Sequence, residues 1–521
     1  MSNNVKILWT DDEIDLLKPH IIFLEHKGYQ IDTATNGKDA IDMVKQNNYN
    51  LIFLDENMPG LSGLETLEQI KSIAPDVPVV MITKSEEENI MDQAIGARIN
   101  DYLIKPVHPN QILLSIKKNI DHERLFSEKT SMDYQAEFRK LGMRINESLS
   151  HDEWKDIYQE LVNWELRIEA SNDDTLDEIL KMQKDEANNS FAKFISRQYQ
   201  HWLKSDHDDK PLMSHQLIKN TVFPLLKENK KVVFLIIDNL RYDHWKAIQP
   251  AISRFYHIKS DDIYYSIIPT ATQYARNAIF SGLMPSEIHN MYPDLWKDDH
   301  EEGGKNLYEE DMLRNHVKRF FGKDKTVHYE KATDINYCHK IADKLNNILH
   351  HDMNAIVVNF VDLVSHARTD MKMIKDLASH EPAYRSLTKS WFNHSPLHDL
   401  LQALAQHDIE LFLTTDHGNI MVQNPIKVIG DRKTTTNLRY KQGKSLNYNP
   451  KEVFEIKKPQ EAYLPKSNIS SAYIFATAND YFVYPNNYKH FMKMYKNTFQ
   501  HGGISLEEML VPIIHLKPKS E

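Results

Sequence analysis

The stretch Val232-Val-Phe-Leu-Ile-Ile-Asp238 decides the reading of the C-terminal half: an unbroken apolar run that ends on a carboxylate. Such a run, bounded by polar residues, reads as a strand buried on both faces, the kind found in a parallel sheet covered by helices. Two more runs repeat the design: Ala355 to Val361 ends on Asp362, and Ile409 to Thr415 ends on Asp416. In open parallel sheets ligands bind outside the carboxyl ends of the strands, so acids placed there converge on one crevice. Histidines accompany them, with His366 four residues after Asp362, His417 directly after Asp416, and His501 in a His-Gly-Gly turn. Carboxylates and imidazoles mixed in this way suit zinc.

Between the first two runs stands Pro269-Thr-Ala-Thr272-Gln-Tyr-Ala-Arg276-Asn277. If Thr272 opens a helix, its hydroxyl meets the positive end of the dipole and exposed backbone amides, which favour an anionic group. A threonine hydroxyl is a weak nucleophile unless a base or metal activates it, so Thr272 beside a metal crevice is the expected nucleophile, with Thr270 its nearest competitor. Arg276 and Asn277, a turn further on, are placed to touch an anionic group bound there.

Asp238, the Pro-Thr-x-Thr block with Ser281-Gly282, Asp362-Leu-Val-Ser-His366, Thr415-Asp-His-Gly418 and His501-Gly-Gly503 together resemble the alkaline phosphatase superfamily. Within it the spacing around Thr272 is most similar to the nucleotide pyrophosphatase/phosphodiesterase branch and the PglZ domains. The resemblance implies an α/β domain with a mostly parallel sheet and two zinc ions. Asp362, His366 and His501 would hold one ion, and Asp238, Asp416, His417 and the Thr272 oxygen the other. Two such ions support a pair of in-line displacements at phosphorus. The modified-cysteine signature of sulfatases is missing, since the one cysteine, Cys338, lies in Tyr-Cys-His-Lys. The extra ligands of a three-metal monoesterase are missing too, which favours phosphodiesters of nucleotides or oligonucleotides as substrates. A basic segment, Ile426 to Lys444, carries Arg432, Lys433 and Arg439 with Thr434 to Thr436 and Tyr440, and could contact a phosphate backbone and stack a base.

At the N-terminus, short apolar runs alternate with helical stretches: Val5 to Trp9, Gln30 to Thr35, Leu51 to Leu54, Val79 to Thr83 and Asp101 to Ile104. The alternation predicts a doubly wound, flavodoxin-like α/β sheet. Asp11 and Asp12 end the first strand, Asp55 the third, Thr83 the fourth and Lys105-Pro106 the fifth. Three carboxylates in one crevice suit Mg²⁺, a hard cation that keeps several waters. A phosphoryl group on Asp55 would find a hydroxyl donor in Thr83 and a fixed cation in Lys105. These residues, with Asp55-Glu-Asn-Met-Pro-Gly60, resemble the receiver domain of two-component response regulators. The resemblance implies phosphorylation of Asp55, Mg²⁺ held by Asp11, Asp12, Asp55 and Asn57, and an aromatic switch at Tyr102.

The middle of the chain changes to spacings of three and four, as in Phe138, Leu141 and Ile145, then Trp154, Ile157 and Leu161, which predict amphipathic helices. Ser150-His-Asp-Glu153 and Thr175-Leu-Asp-Glu178 match capping boxes, so at least three helices are expected. The domain reading is therefore a receiver over 1–122, a helical connector over 123–208 and a PglZ-type domain over 209–521. That order resembles the PorX-type response regulators associated with type IX protein secretion. It implies a sensor histidine kinase, an extracytoplasmic-function sigma factor as a further partner, and a homodimer formed on phosphorylation through the receiver's fourth helix and fifth strand. Two rival readings are a non-catalytic regulator using the metal domain as a platform, and a zinc phosphomonoesterase.

Composition narrows the classes. A net charge of -11 over 521 residues argues against a DNA coat, and one cysteine excludes both an intrachain disulfide and a cysteine-rich structural zinc site. The N-terminus lacks a signal-peptide pattern and no apolar stretch approaches the roughly 20 residues needed to cross a bilayer, so a cytoplasmic protein with no membrane partner is expected.

Overall fold

The computed structural model describes residues 5–84, 99–120, 122–171, 173–204, 210–301, 303–332, 345–363, 380–430, 434–466 and 471–519. The chain divides into two compact units, Met1–Asp133 and Tyr134–Glu521.

In the first unit five parallel strands, β1 (Lys6–Thr10), β2 (Gln30–Ala34), β3 (Leu51–Asp55), β4 (Val79–Thr83) and β5 (Asp101–Ile104), lie in the order β2-β1-β3-β4-β5. Successive residues of a strand face opposite sides of the sheet, so β1 and β3 feed two cores. Leu8, Ile52 and Leu54 pack with Leu67 and Ile70 of the helix Gly63–Ile73, while Ile7, Trp9, Leu51 and Phe53 pack with Ile112 and Ile116 of the helix Pro109–Asn119. The strand order reverses direction at β1 and β3, which places the ligand crevice of a doubly wound sheet at their carboxyl ends. The fourth receiver helix expected from the sequence falls in residues 85–98, outside the described residues.

The second unit begins with long helices, His122–Ile145 (entering from the first unit), His151–Ser171 and Asp174–Lys204. The Ser150 capping box forms: Glu153 N donates to Ser150 Oγ at 3.3 Å and Glu153 Oε2 accepts the Ser150 amide at 2.8 Å. The second expected box is displaced. Asp173 Oδ1 takes the amides of Thr175 and Leu176 at 3.1 and 3.2 Å, so an aspartate two residues earlier caps the helix and Thr175 lies within its first turn.

Beyond the helices a six-stranded sheet runs β7, the C-terminal strand Leu510–Pro518, β10, β6, β9, β8, where β6 is Lys231–Ile237, β7 Tyr256–Tyr265, β8 Val327–Ala332, β9 Met353–Val358 and β10 Ile409–Thr414. β10, β6, β9 and β8 are mutually parallel, and the C-terminal strand is antiparallel to both its neighbours. The register levels the strand ends, pairing Ile236 with Thr414 and Ile237 with Val358. The acid-bearing loops therefore leave one edge together. β9 stops at Val358, short of the expected Val361, and Asp362 rides on a helical turn over residues 360–363. Val361 is buried in that turn, which is why the apolar run outlasts the strand.

The helices and the sheet share one core. Trp154, Phe191, Tyr199 and Trp202 are continuous with Ile236, Tyr265, Ile268 and Leu510. Trp202 and Phe191 pack on the Tyr265 ring at 5.3 and 6.3 Å, and the Ile268 amide donates to Tyr199 Oη at 3.1 Å. Charges cross the same junction: Arg385 pairs with Glu165 at 3.0 Å, Glu169 at 2.5 Å and Asp243, and Lys184 pairs with Glu165 at 2.9 Å and Glu381 at 2.8 Å. Among the described residues no helix is long and apolar enough to cross a membrane.

Candidate active site and receiver pocket

At the carboxyl edge of the large sheet, Asp238 follows β6, Asp416 and His417 follow β10, and their ligand-capable atoms lie within 4.8 Å of one another, all three side chains buried. Thr272 is the first residue of the helix Thr272–Ser281, and its hydroxyl lies 3.0 Å from His417 Nε2. His417 Nδ1 lies 3.1 Å from the Gly418 carbonyl; a proton donated there leaves Nε2 with its lone pair toward Thr272. The turn needs glycine at 418, since a Cβ would stand 2.0 Å from the Glu507 carbonyl oxygen.

His501 arrives from far along the chain through a two-residue ladder that pairs Ile420 with Gln500 and Met421 with Phe499. Its ring stacks on His417 with centroids 4.2 Å apart, its Nδ1 sits 3.1 Å from the Thr270 carbonyl, and its Nε2 lies 3.9 Å from Asp362 Oδ1. In both histidines a backbone carbonyl takes the Nδ1 proton, the arrangement that orients imidazoles whose other nitrogen binds a metal. Thr270 is committed elsewhere: its hydroxyl donates to the Gly503 carbonyl at 2.9 Å and accepts the Gly502 amide at 3.0 Å.

Arg276 is fully buried beneath the acids. Its Nε donates to Asp416 Oδ2 at 3.0 Å, Nη2 pairs with Asp238 Oδ2, and Nη1 lies 3.4 Å from Asn359 Oδ1 and 3.6 Å from Glu309 Oε1. The guanidinium thus takes the Oδ2 edges, while Asp238 Oδ1, buried without a hydrogen-bond partner, is turned toward His417 Nε2 at 4.0 Å. An orphaned carboxylate oxygen grouped with an imidazole nitrogen and a hydroxyl is a donor set that fits zinc. Burial, with Asp416 and Asp362 nearby, pushes the Asp238 carboxyl well above its ordinary range, whereas Arg276 and His417 hold Asp416 below it despite burial.

Asn277 is also buried; it donates to the Lys305 carbonyl at 3.3 Å and accepts from Asn306 at 2.9 Å, and Asn306 donates in addition to the Thr272 carbonyl at 3.0 Å. Arg276 and Asn277 accordingly brace the helix Thr272–Ser281 from below. Arg439 is buried as well, gripping Glu508 through Nε at 3.1 Å and Nη2 at 2.5 Å; Glu508 in turn receives the Gly503 amide at 2.8 Å and so supports the His-Gly-Gly turn. An arginine so placed cannot reach a phosphate backbone. Lys441 is turned inward too, donating to the Thr435 carbonyl at 2.8 Å, with burial lowering its pKa to about 8. His366, Arg432, Lys433 and Cys338 lie outside the described residues.

Sequence reading passed over Asn239, Asn419 and Tyr384, all fully buried. Asn419 Nδ2 donates to Asn239 Oδ1 at 2.9 Å and to Tyr384 Oη at 3.3 Å; Asn239 Nδ2 donates to Asp362 Oδ1 at 3.2 Å, and Tyr384 Oη to the Val361 carbonyl at 3.0 Å. One chain of donors therefore fixes Asp362 by both side chain and backbone. The available signal was an asparagine directly after a strand-end acid, since Asn239 sits at φ 65°, where asparagine is favoured.

In the receiver, Asp11, Asp12 and Asp55 form a second group with ligand atoms within 4.8 Å. Lys105 bridges Asp11 Oδ2 at 2.8 Å and Asp55 Oδ1 at 2.9 Å. Burial, aided by Asp11 and Asp12, raises the Asp55 carboxyl to about 6 against the pull of Lys105. Thr83 is buried and donates to Glu56 Oε2; half-buried Tyr102 stands beside the Thr83 hydroxyl. Asn57 is exposed.

Three family descriptions match this architecture: a response regulator receiver domain over residues 7–117, a PorX response regulator linker domain over 124–203, and the BREX system PglZ alkaline phosphatase-like domain over 217–516, more than half of the chain. The chain belongs to the PorX-type response regulators. Its output domain is the PglZ alkaline phosphatase-like domain. The PorX-type regulator is 38% identical over 116 residues to the transcriptional regulatory protein ResD of Bacillus subtilis, covering 22% of this chain and 48% of that protein. It is 30% identical over 138 residues to the transcriptional regulatory protein ZraR of Klebsiella oxytoca, covering 26% and 31%. The PorX-type regulator thus spans about a third to a half of the length of these curated relatives. Among solved structures it is similar to a CheY-like receiver domain protein from Methanospirillum hungatei JF-1, with 26% identity, TM-score 0.23, and 23% of this chain against 96% of that one. A two-component response regulator from Clostridium difficile gives 30% identity and TM-score 0.22, over 23% and 97%.

Proposed function

We propose that this response regulator is a phosphorylation-controlled zinc phosphodiesterase acting on nucleotide or oligonucleotide diesters. The observation that carries the reading is the Thr272 hydroxyl, 3.0 Å from His417 Nε2 at the mouth of the buried Asp238, Asp416 and His417 group. Asp238, Asp416, His417 and Thr272 would hold one zinc, and Asp362, His366 and His501 the other. Bound zinc supplies Lewis-acid stabilisation of the phosphoryl oxygens and lowers the cost of a threonine alkoxide. Thr272 Oγ1 gives up its proton to solvent and attacks phosphorus in line. The bond from phosphorus to the departing oxygen breaks on the opposite side, and that oxygen takes a proton from solvent. Water then attacks the same phosphorus, giving up a proton, and the bond to the Thr272 oxygen breaks as that oxygen regains one. Arg276 keeps Asp416 charged and holds both acids in place, and the helix N-terminus favours the anion.

Upstream, Asp55 would accept a phosphoryl group from a sensor histidine kinase, with Mg²⁺ at Asp11, Asp12, Asp55 and Asn57. Thr83 and Lys105 would hold the phosphoryl oxygens, and Tyr102 would follow Thr83. The PorX-type architecture supports a role in type IX protein secretion, with an extracytoplasmic-function sigma factor as a further partner.

The test is hydrolysis of bis(p-nitrophenyl) phosphate by the parent and by Thr272→Ala, with zinc content measured on both. We expect a loss of at least about 100-fold in kcat with zinc retained. A variant as fast as the parent would place the nucleophile elsewhere. Faster turnover of p-nitrophenyl phosphate than of the diester would convert the reading to a monoesterase.

A further inference from the structure

A cavity of about 350 Å³ opens beside His501, lined by Asp299, Thr435, Thr436, Asn437, Tyr440 and Gln500. That size falls within the range of small-molecule sites. Among the described residues that line it, Asp299 is the one carboxylate and none is a lysine or an arginine. The wall is rigid. Tyr274 Oη donates to Asp299 Oδ2 at 2.8 Å, and Tyr440 Oη reaches both oxygens at 3.2 and 3.1 Å. The two tyrosine rings meet edge to face at 5.8 Å, and Asn437 Oδ1 takes the amides of Arg439 and Tyr440. Gly502 moulds the His-Gly-Gly turn onto this wall: at φ 119° its missing Cβ would stand 2.7 Å from the Tyr440 ring and 2.9 Å from Asn437 Oδ1. The cavity and the candidate zinc ligand His501 are thus parts of one fixed surface.

A carboxylate wall repels phosphate oxygens and attracts N–H donors. With about four lone-pair positions on its two oxygens, Asp299 retains acceptor capacity beyond the tyrosines. Amides, hydroxyls and a tyrosine around it can read the edge of a planar ring. We propose that this cavity is a nucleobase subsite that selects a base carrying an exocyclic amino group, the amino group donating to Asp299. The proposal rests on the diesterase reading of the neighbouring site. Cytosine and uracil separate it cleanly, because cytosine presents an amino donor where uracil, like thymine, presents a carbonyl acceptor on a ring of the same size.

The experiment uses the full-length, zinc-loaded protein with the p-nitrophenyl esters of cytidine and uridine 5′-monophosphate, and bis(p-nitrophenyl) phosphate as a base-free reference. We expect kcat/KM to favour the cytidine ester by about 10-fold or more. Asp299→Asn, whose amide can also donate, should bring the ratio towards one. A ratio of one in the parent, with the base-free diester hydrolysed, overturns the subsite alone. No hydrolysis of any of the three diesters overturns the diesterase reading instead, and calorimetric titration with the two free nucleotides then decides the subsite: tighter cytidine monophosphate supports it, equal affinities sink it.

Discussion

Asn239 is where three acid-bearing loops meet: it follows Asp238, accepts from Asn419 two residues beyond His417, and donates to Asp362 at 3.2 Å. Replacing it by glycine keeps the left-handed backbone and removes only the amide. Asn239→Gly should therefore lower zinc affinity about 10- to 100-fold, read by competition with a chelator, while the fold persists. The acids and histidines around it were legible because strand-end carboxylates and a His-Gly-Gly turn have positions in the sequence. Arg276 and Arg439 were not, since a cation on a helix or loop does not reveal which distant carboxylate it will meet. A different residue sets a pH response. His316 is buried, its Nδ1 lies 3.1 Å from the Phe280 carbonyl, and burial with Arg319 nearby lowers its pKa to about 3. The unfolded chain, titrating near 6.5, binds this proton first, so stability is full above that pH and falls as pH drops through the window from 6.5 to 3. The loss is about 2 kcal/mol at pH 5 for this group. His316→Gln should show a correspondingly smaller fall in denaturation midpoint between pH 7 and 5.

At the scale of elements, the strands were read almost to the residue wherever the apolar run and the strand share an end, as at Ile237 before Asp238. The reading overshot at β9 because Val361 belongs to a helical turn that buries it as fully as a strand would. Pairing of Ile420 with Gln500, which delivers His501 to His417, had no local signal. Nor did the docking of the helices His151–Ser171 and Asp174–Lys204, which is built on charges as well as on the shared core. Arg385 is the clasp, 3.0 Å from Glu165 and 2.5 Å from Glu169 on the first of these helices while also holding Asp243. Arg385→Met would leave Glu165 to Lys184 alone, Asp243 to Arg241 alone and the partly exposed Glu169 without this arginine, at a cost of roughly 1–3 kcal/mol. Urea denaturation should show the drop in midpoint, and an unchanged midpoint would mean that the ion network contributes nothing net.

At the scale of the whole molecule, the proposed phosphorylation of Asp55 would act by favouring one population over another. Shifting an equilibrium from 1:99 to 99:1 takes about 5.5 kcal/mol, more than one or two new charge-assisted hydrogen bonds at Thr83 and Lys105 usually supply. Self-association can contribute the remainder. Beryllofluoride with Mg²⁺ should therefore raise the dimer fraction measured by light scattering, and Asp55→Ala should abolish the rise; an unchanged mass for the parent would sink this account. The continuous core described between the helices and the large sheet has a consequence for how such chains can be recombined. A cut placed just before Lys210 would bare Tyr265, Ile268 and their neighbours, so a phosphatase-like domain transplanted alone should aggregate. The workable seam lies ahead of His122, and a chimaera that exchanges receivers there should inherit a soluble, intact output half.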